Sequence, residues 1–256
     1  IAGGESRYYP CLFENEFVPT IDALESLVDE NTVAILYNFP SNPTGATLTP
    51  EQRDELLEFA KRNQLWIITD EVYDRIVYDV EHVSFLGTGY ERTLLINSFS
   101  KTFAMTGWRI GYICSPNVEA MSQIIKMQYY ITACSNDAMQ YAVLTAFDEA
   151  SSYPEEMAKE FQARRDLICS RLNSMPGVSC HIPKGAFYVF PKVEVPGMNS
   201  QELAIELLKG GVLSSPGSAF GDSGEGHLRF AYTVSREDIS RGMDKVESVL
   251  KRLRGD

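Results

Sequence analysis

Residues 93–101 read Thr-Leu-Leu-Ile-Asn-Ser-Phe-Ser-Lys, so an apolar segment that favours a β-strand runs directly into two serines and a lysine. Polar residues that follow a buried strand lie at its carboxyl end. Open α/β sheets bind their ligands outside that edge. Two hydroxyls and the amine of Lys101 within four residues therefore indicate a site for an anionic group.

Two earlier segments have the same design. The β-rich segment Thr32–Leu36 runs into a turn-rich stretch that contains Asn42, and the apolar segment Leu65–Thr69 ends at Asp70. The continuous apolarity of the second segment predicts a strand that is buried on both faces. Because parallel strands end at one edge of a sheet, the sequence predicts that these polar residues and Lys101 line one pocket.

Each of these residues also has a purely structural interpretation. Asp70 is a common type of helix N-cap, and Asn42 lies in Ser41-Asn42-Pro43-Thr44-Gly45, which is typical of a tight turn. Arg109 is set among apolar neighbours, where an arginine is expected to have an anionic partner because an unpaired buried charge is costly. An ordinary salt bridge would satisfy that requirement as well. The convergence of several such residues at one edge favours the pocket.

A helix is predicted after the first strand. Thr49 is a good N-cap, Pro50 suits the first helical position, and Gln52 completes a capping box. Asn63 is the predicted end of this helix.

The alternation of β-rich and amphipathic segments indicates an α/β fold: a mostly parallel sheet with helices on both faces, followed by a smaller C-terminal α+β domain. We expect a large domain over residues 1–150, a connecting helix over 151–175 and a small domain over 176–256. Further strands and helices are predicted at Ile110–Cys114, Tyr153–Met175 (helix), Val178–Ile182, Ala186–Phe190, Ser200–Leu208 (helix), His227–Tyr232 and Glu237–Arg252 (helix).

Composition excludes several classes of protein. Lysine and arginine number 23 against 35 aspartate and glutamate residues, and the net charge of −12 disfavours binding to nucleic-acid phosphates. No run approaches the roughly 18 apolar residues that a membrane span needs. The five cysteines and three histidines show no metal-ligand or disulfide spacing, so we expect no metal site and a reducing cytoplasm.

Five ordered motifs resemble those of the pyridoxal-phosphate (PLP) aminotransferases of fold type I, class I/II. They are Asn42-Pro43-x-Gly45, Asp70-x-x-Tyr73, Ser98-x-Ser100-Lys101, Arg109 eight residues after the lysine, and Arg229. The segments Met105–Tyr112 and Lys184–Tyr188 resemble the prokaryote-type branch of the aspartate aminotransferase family. The resemblance covers essentially the whole chain.

The resemblance implies three catalytic residues: Lys101, Asp70 and Tyr73. Lys101 would hold PLP as a Schiff base and then move a proton on the substrate. Asp70 would pair with the pyridine nitrogen of the cofactor. Tyr73 and Asn42 would form hydrogen bonds with the oxygen on its ring.

The resemblance also implies binding roles. Ser98, Ser100 and Arg109 would hold the cofactor phosphate, the arginine in bidentate geometry. Arg229 would bind the substrate α-carboxylate through the same fork of donors, and Asn42 would contact the substrate beside it.

The implied activity is transfer of an amino group between an amino acid and a 2-oxo acid, by a cytoplasmic homodimer with no nucleic-acid or membrane partner. The same scaffold also supports C–S lyases, decarboxylases and synthases. An alternative of another class is the aminotransferase-like sensor domain of a PLP-responsive transcription regulator, and a catalytically inactive fragment is a third possibility.

The family's N-terminal part is predicted to be missing. Relatives carry, upstream of the region that matches Ala2-Gly3-Gly4, a glycine-rich phosphate-binding turn and an aromatic residue that stacks on the cofactor, and neither has a counterpart here. The preferred amino donor stays open between aspartate, aromatic and other neutral amino acids. Tyr129 and Tyr130 stand in the stretch where some aspartate-specific relatives have a cationic side chain, and packing alone would explain both tyrosines.

Overall fold

The computed structural model describes residues 3–255, so Ala2 and the outer ends of the first and last predicted domains lie outside the described residues. The chain divides into two compact units. The sheet unit consists of residues 28–40 and 47–158. The C-terminal unit consists of the described residues up to Leu27, the turn Ser41–Ala46 and the residues from Lys159 onward. Neither unit is continuous in sequence, and the predicted division of the whole protein into 1–150, 151–175 and 176–256 stays a prediction.

The sheet unit contains four strands in the spatial order β1-β2-β3-β4. The first three are parallel, and β4 is antiparallel to β3 at the edge. This confirms the predicted α/β fold with a mostly parallel sheet. The strands span Ala34–Asn38 (β1), Trp66–Asp70 (β2), Thr93–Ser98 (β3) and Gly111–Cys114 (β4).

The carboxyl ends of β1, β2 and β3 are aligned. Asp70 lies opposite Asn38 on one side and Ile96 on the other. The Asn38 side-chain amide donates to the Asp70 carbonyl over 3.2 Å, and the Glu71 N–H donates to the Ile96 carbonyl over 3.0 Å. Residues that follow β2 and β3 therefore leave the sheet at the same edge, as the sequence predicts.

The sheet is covered on one face within the described residues of its unit. Ile35, Ile67 and Leu95 are buried, whereas their neighbours Leu36 and Ile96 are 55% and 37% exposed. The prediction that β2 is buried on both faces was wrong, because its residues alternate between buried and half-buried. Apolar composition alone does not predict which face of a strand is packed against other residues.

The helices of the sheet unit include the one predicted from its caps. Thr49 Oγ1 accepts a hydrogen bond from the Gln52 N–H over 3.2 Å, and Gln52 Oε1 accepts one from the Thr49 N–H over 2.9 Å. The helix begins at Pro50 and Asn63 caps its end, which confirms the prediction. The helices of the sheet unit are α2 (Pro50–Arg62), α3 (Phe99–Thr102), α4 (Val118–Thr132) and α5 (Asp137–Glu149).

Helices α4 and α5 were not predicted from the sequence. No residue of α4 is buried, and Val143 is the only buried residue of α5. Tyr130 on α4 is 75% exposed, and Tyr141 on α5 is 72% exposed. Their apolar residues therefore lack a cover within the described residues.

The C-terminal unit is built from short strands and helices. One antiparallel pair joins β5 to β7, and a second antiparallel sheet has the order β6-β9-β8. The elements are α1 (Ile21–Glu25), β5 (Val178–Ser179), β6 (Tyr188–Val189), β7 (Lys192–Val193), α7 (Ser200–Lys209), β8 (Ser215–Pro216), β9 (Leu228–Ala231) and α8 (Arg236–Arg254). Helix α6 (Tyr153–Asn173) contains the boundary between the two units. The predicted helices of this region are confirmed, and its strands are shorter than predicted.

No helix among residues 3–255 combines the length and the apolar character that crossing a membrane requires.

Candidate active site

Lys101 and Tyr73 lie together at the carboxyl edge of the sheet. Lys101 belongs to α3, whose N-cap is the final residue of β3, Ser98. Tyr73 is buried in the turn after β2. The Lys101 ammonium lies 5.8 Å from the centre of the Tyr73 ring. Two residues that follow different parallel strands therefore meet, as expected for groups at one sheet edge.

A hydroxyl cluster stands beside the lysine. Ser98 Oγ lies 2.8 Å from Ser100 Oγ and 3.1 Å from the Ile110 carbonyl oxygen, and it accepts a hydrogen bond from the Ser100 N–H over 3.1 Å. Ser98 also pairs with Gly111 across β3 and β4. A Cβ at position 111 would meet the Asn97 carbonyl oxygen at 2.6 Å, so only glycine permits this close approach. Strand β4 thereby brings the residues after Arg109 against the serines.

Arg109 itself is exposed. Its backbone is left-handed, with φ of 54°, and its Nη1 donates to the Thr106 carbonyl over 2.8 Å. The expectation that its apolar neighbours would bury it was wrong. Gly107 and Trp108 belong to a short 3₁₀ turn at the surface, which leaves the guanidinium open to solvent.

Asp70 is the last residue of β2 and is half-buried. Burial raises the pKa of its carboxyl, a hydrogen bond from the Val72 N–H to Oδ1 (3.2 Å) lowers it, and the neighbouring Glu71 charge raises it again. The net shift is upward. A carboxylate in such surroundings gains more than usual from a cation placed next to it.

Glu71 is a residue that sequence reasoning missed. It is 2% exposed, and its Oε1 accepts hydrogen bonds from Thr69 Oγ1 (3.0 Å), Ser84 Oγ (3.0 Å) and the Phe85 N–H (3.3 Å). Its Oε2 lies 2.7 Å from His82 Nε2. The signal in the sequence is a second acidic residue directly after a buried strand, in Asp70-Glu71.

Asn97 and Asp74 lie between the turn after β2 and the end of β3. Asn97 is buried, and its Oδ1 accepts a hydrogen bond from the Ser98 N–H over 2.6 Å. Burial raises the pKa of Asp74, while His82, Arg75 and Asn97 lower it. Asp74 of the turn and Asn97 of β3 therefore interact near the sheet edge.

Arg229 forms a separate cluster inside the C-terminal unit. It lies on β9, where it pairs with Ser215 of β8. Nη1 donates to Asn42 Oδ1 over 2.9 Å, and Nη2 donates to Ser215 Oγ over 3.0 Å. The guanidinium carbon lies 4.7 Å from the centre of the Tyr188 ring and 5.0 Å from that of Phe220. Two hydrogen bonds and two aromatic contacts thus fix its position.

The turn that carries Asn42 is held in place by its glycine. The Gly45 carbonyl accepts a hydrogen bond from the Gly185 N–H over 2.9 Å. Gly45 has φ of 70°, and a Cβ there would meet Pro183 Cβ at 2.4 Å. The motif containing Asn42 and the Lys184–Tyr188 motif therefore pack against each other only with glycine at this position.

Arg229 also has one unused donor. Its Nε is buried and has no hydrogen-bond partner among residues 3–255. A buried N–H without a partner is costly, and an arginine with free donors is suited to a carboxylate. No cluster of three or more His, Cys, Asp or Glu side chains in that range could hold a metal ion.

The fold is that of the PLP-dependent transferases of fold type I, and comparison with known proteins identifies the family. The chain belongs to the family of class I and II aminotransferases, whose model matches residues 1–246. PLP is the cofactor of this family.

Several curated relatives are similar over almost the whole chain. Aromatic-amino-acid aminotransferase 2 of Thermococcus litoralis is 41% identical over 257 residues, which are 98% of this chain and 66% of that protein. The aspartate aminotransferase of Pyrococcus abyssi gives the same values. The chain thus spans slightly less than two thirds of the length of these relatives.

Solved structures of the family share the fold. The aromatic aminotransferase of Pyrococcus horikoshii has a TM-score of 0.93 at 40% identity, with 98% of this chain and 68% of that one covered. A double mutant of Thermus thermophilus aspartate aminotransferase has a TM-score of 0.91 at 33% identity, with coverages of 97% and 65%.

The sheet unit carries a donor set that fits the cofactor. PLP presents an aldehyde, a phosphate, a ring hydroxyl and a ring nitrogen. The edge of the sheet offers an amine, two serine hydroxyls, a phenol and a carboxylate whose pKa is raised by burial. The side chains are those of Lys101, Ser98, Ser100, Tyr73 and Asp70.

Proposed function

We propose that this protein is a PLP-dependent aminotransferase that moves an amino group between an amino acid and a 2-oxo acid. The observation that supports the proposal most is the meeting of Lys101 with Tyr73 at the sheet edge, next to the Ser98–Ser100 cluster, in a chain of the aminotransferase family. The proposal assigns a role to each polar group there.

Lys101 would hold the cofactor through its amine. Once the amino group of the substrate had replaced that amine on the cofactor, the freed amine of Lys101 would take up and return the proton at the substrate Cα. Bound PLP supplies an electron-withdrawing ring that accepts the charge left on that carbon. Tyr73 holds the lysine side chain against its ring and donates its phenol hydrogen to the oxygen on the cofactor ring.

Asp70 would pair with the ring nitrogen of the bound cofactor and keep it protonated. Its carboxylate is removed from bulk water, so the attraction to a protonated nitrogen is screened less than on an open surface. Ser98 and Ser100 would donate hydrogen bonds from their hydroxyls to the phosphate. The guanidinium of Arg109 is exposed, so it can turn toward the same anion.

Arg229 binds the α-carboxylate of the substrate, and Asn42 stands beside it. The fixed guanidinium loses little side-chain freedom on binding, because hydrogen bonds and two rings already hold it. Tyr188 and Phe220 exclude water from its faces, which strengthens its attraction for an anion.

The proposed donors are aspartate and the aromatic amino acids, the substrates named for the relatives in Thermococcus litoralis and Pyrococcus abyssi. A homodimer in the cytoplasm is also proposed. Exposed apolar residues on α4 and α5, such as Tyr130 and Tyr141, support a protein partner for that surface. The five cysteines are free thiols, which suits a reducing compartment.

The test is to incubate the purified protein with PLP, 2-oxoglutarate and a panel of amino acids. Glutamate formed from aspartate, phenylalanine or tyrosine would support transamination. Pyruvate and ammonia formed without an oxo-acid acceptor would instead identify a C–S lyase or another eliminating enzyme. Failure to bind PLP at all would contradict the proposal.

A further inference from the structure

Glu71 is the most deeply buried carboxylate of the sheet unit among the described residues, and the proposed function gives it no role. A carboxylate out of water is costly unless donors surround it. Both of its oxygens have partners, and three of the four lie outside the strand that precedes it. Such an arrangement holds the carboxyl group at a fixed position.

The partners of Glu71 fix the turn that carries Asp70. Ser84, Phe85 and His82 hold its side chain from one segment, and its own N–H donates to the Ile96 carbonyl of β3. The next N–H, that of Val72, orients the Asp70 carboxylate through Oδ1.

We propose that Glu71 is a positioning residue that holds the Asp70 turn in place. It also supplies a second, buried negative charge, which strengthens the binding of a cation by Asp70. This inference rests on the proposed function only for the identity of that cation, the protonated ring nitrogen of PLP. The contacts of Glu71 and its position next to Asp70 are present in the protein without cofactor.

The charges around the two residues favour this role. Burial raises the pKa of Asp70, and the charge of Glu71 raises it further. An unpaired Asp70 carboxylate is therefore disfavoured, and an Asp70 carboxylate paired with a cation is favoured. Asp74 is a third acidic group in the same turn, facing His82 and Arg75. Tyr112 of β4 feels the acidic charges of both Asp74 and Glu71. Asp70, Glu71 and Asp74 thus place three carboxyls within five residues of the chain.

The first experiment uses the protein without cofactor. Glu71→Gln keeps the size of the side chain and an accepting oxygen but removes the charge. Carbon-13 NMR of aspartate carboxyls, with Asp70 assigned through Asp70→Asn, follows the titration of Asp70. We expect a lower Asp70 pKa in Glu71→Gln than in the wild type. The matched control is Glu55→Gln, which removes one exposed charge from α2 and should leave the titration unchanged.

An unchanged Asp70 titration in Glu71→Gln would overturn the inference. Glu71→Asp separates charge from contacts, because it keeps the charge but shortens the reach to Ser84 and His82. In Glu71→Asp the Asp70 pKa should stay raised even if thermal stability falls. If Glu71→Gln does not fold, the Asp70 pKa in Glu71→Asp tests the inference instead. A fall of the Asp70 pKa in Glu71→Asp would assign the effect to the contacts of Glu71, which supports its positioning role and contradicts the role of its charge.

The second experiment adds PLP. Glu71→Gln should bind PLP several-fold more weakly than the wild type and Glu55→Gln, and the pH titration of the visible absorbance should shift. A wild type that binds no PLP would contradict the proposed function while the NMR result on Glu71 stands. Tight PLP binding with an unchanged absorbance titration in Glu71→Gln would contradict the role of Glu71 alone.

Discussion

Arg229 and Asn42 are 187 positions apart in the sequence, and Arg229 Nη1 donates to Asn42 Oδ1 over 2.9 Å. This bond ties the turn after β1 to strand β9 within the C-terminal unit. Ser215 accepts a hydrogen bond from the second terminal nitrogen, so the guanidinium is oriented by the protein alone. The arginine that the motifs single out is therefore a rigid group, as carboxylate recognition requires.

Substitution of Arg229 tests this orientation. Arg229→Leu should raise KM for amino acid substrates by roughly 10- to 150-fold, the effect of losing a charge-assisted hydrogen bond of about 1.5–3 kcal/mol. Steady-state kinetics with aspartate and with phenylalanine measures the change. Ser215→Ala removes one support but keeps the guanidinium, and its KM should rise less. An unchanged KM in Arg229→Leu would remove Arg229 from the substrate site.

Lys101 is predicted to be the lysine that holds PLP. Lys101→Ala should lose the visible absorbance of the bound cofactor, because no amine remains to bind the aldehyde. Borohydride reduction followed by peptide mass spectrometry would locate the labelled residue in the wild type. Lys126→Ala, which alters an exposed lysine of α4, is the matched control and should keep both signals. Label on a different lysine would contradict the assignment.

Asp70→Asn should retain PLP and lose turnover. The amide keeps the shape of the side chain but cannot hold a proton on the ring nitrogen, so kcat should fall on the order of 10²- to 10⁴-fold. Single-turnover kinetics under saturating PLP separates this loss from weaker binding. Activity close to the wild-type value would remove Asp70 from the catalytic group.

His227 makes stability depend on pH. It is 6% exposed, its Nδ1 contacts the Glu225 carbonyl oxygen, and its Nε2 has no partner among residues 3–255. Burial lowers its pKa below the ordinary value, and the backbone contacts only partly offset this. In the unfolded chain the imidazole takes up its proton near pH 6.5, before the folded state does. The stability present above that pH is therefore lost as the pH falls.

Urea unfolding between pH 8 and pH 5 measures this dependence. We expect a steady loss of stability below about pH 6.5 in the wild type and a flatter profile in His227→Gln. Carboxyls such as Glu206 and Glu160, whose pKa values are lowered by exposed ion pairs, titrate at lower pH. Asp70 and Asp74 have raised pKa values, but they are present in both proteins, so the difference between the two profiles reports His227. Identical slopes in the two proteins would show that His227 is not the titrating group.

Local signals predicted much of the fold from the sequence. The capping box of Thr49 and Gln52 predicted the start of α2 correctly. It is a local signal, because the two residues are three positions apart and each side chain accepts a hydrogen bond from the backbone of the other. Strands β1, β2 and β3 were located within two residues, since β-branched and apolar runs mark them. The direction of β4 could not be predicted, because periodicity does not encode whether a strand runs parallel or antiparallel to its neighbour.

The remaining errors have a common physical origin. Helices α4 and α5 were missed, and they bury almost nothing within the described residues. Glu71 was missed because its partners His82 and Ser84 lie 11 and 13 positions away. Arg109 was expected to be buried from neighbours that turn out to form a surface turn. Contacts of this kind depend on the tertiary fold.

The one-sided cover of the sheet governs how this chain behaves in solution by itself. Strands β1 and β3 turn Leu36 and Ile96 toward water, and α4 adds Ile125 and Ile131 at 65% and 68% exposure. Two molecules that meet through these residues remove apolar area from water without unfolding. We therefore expect self-association through these residues to increase with protein concentration.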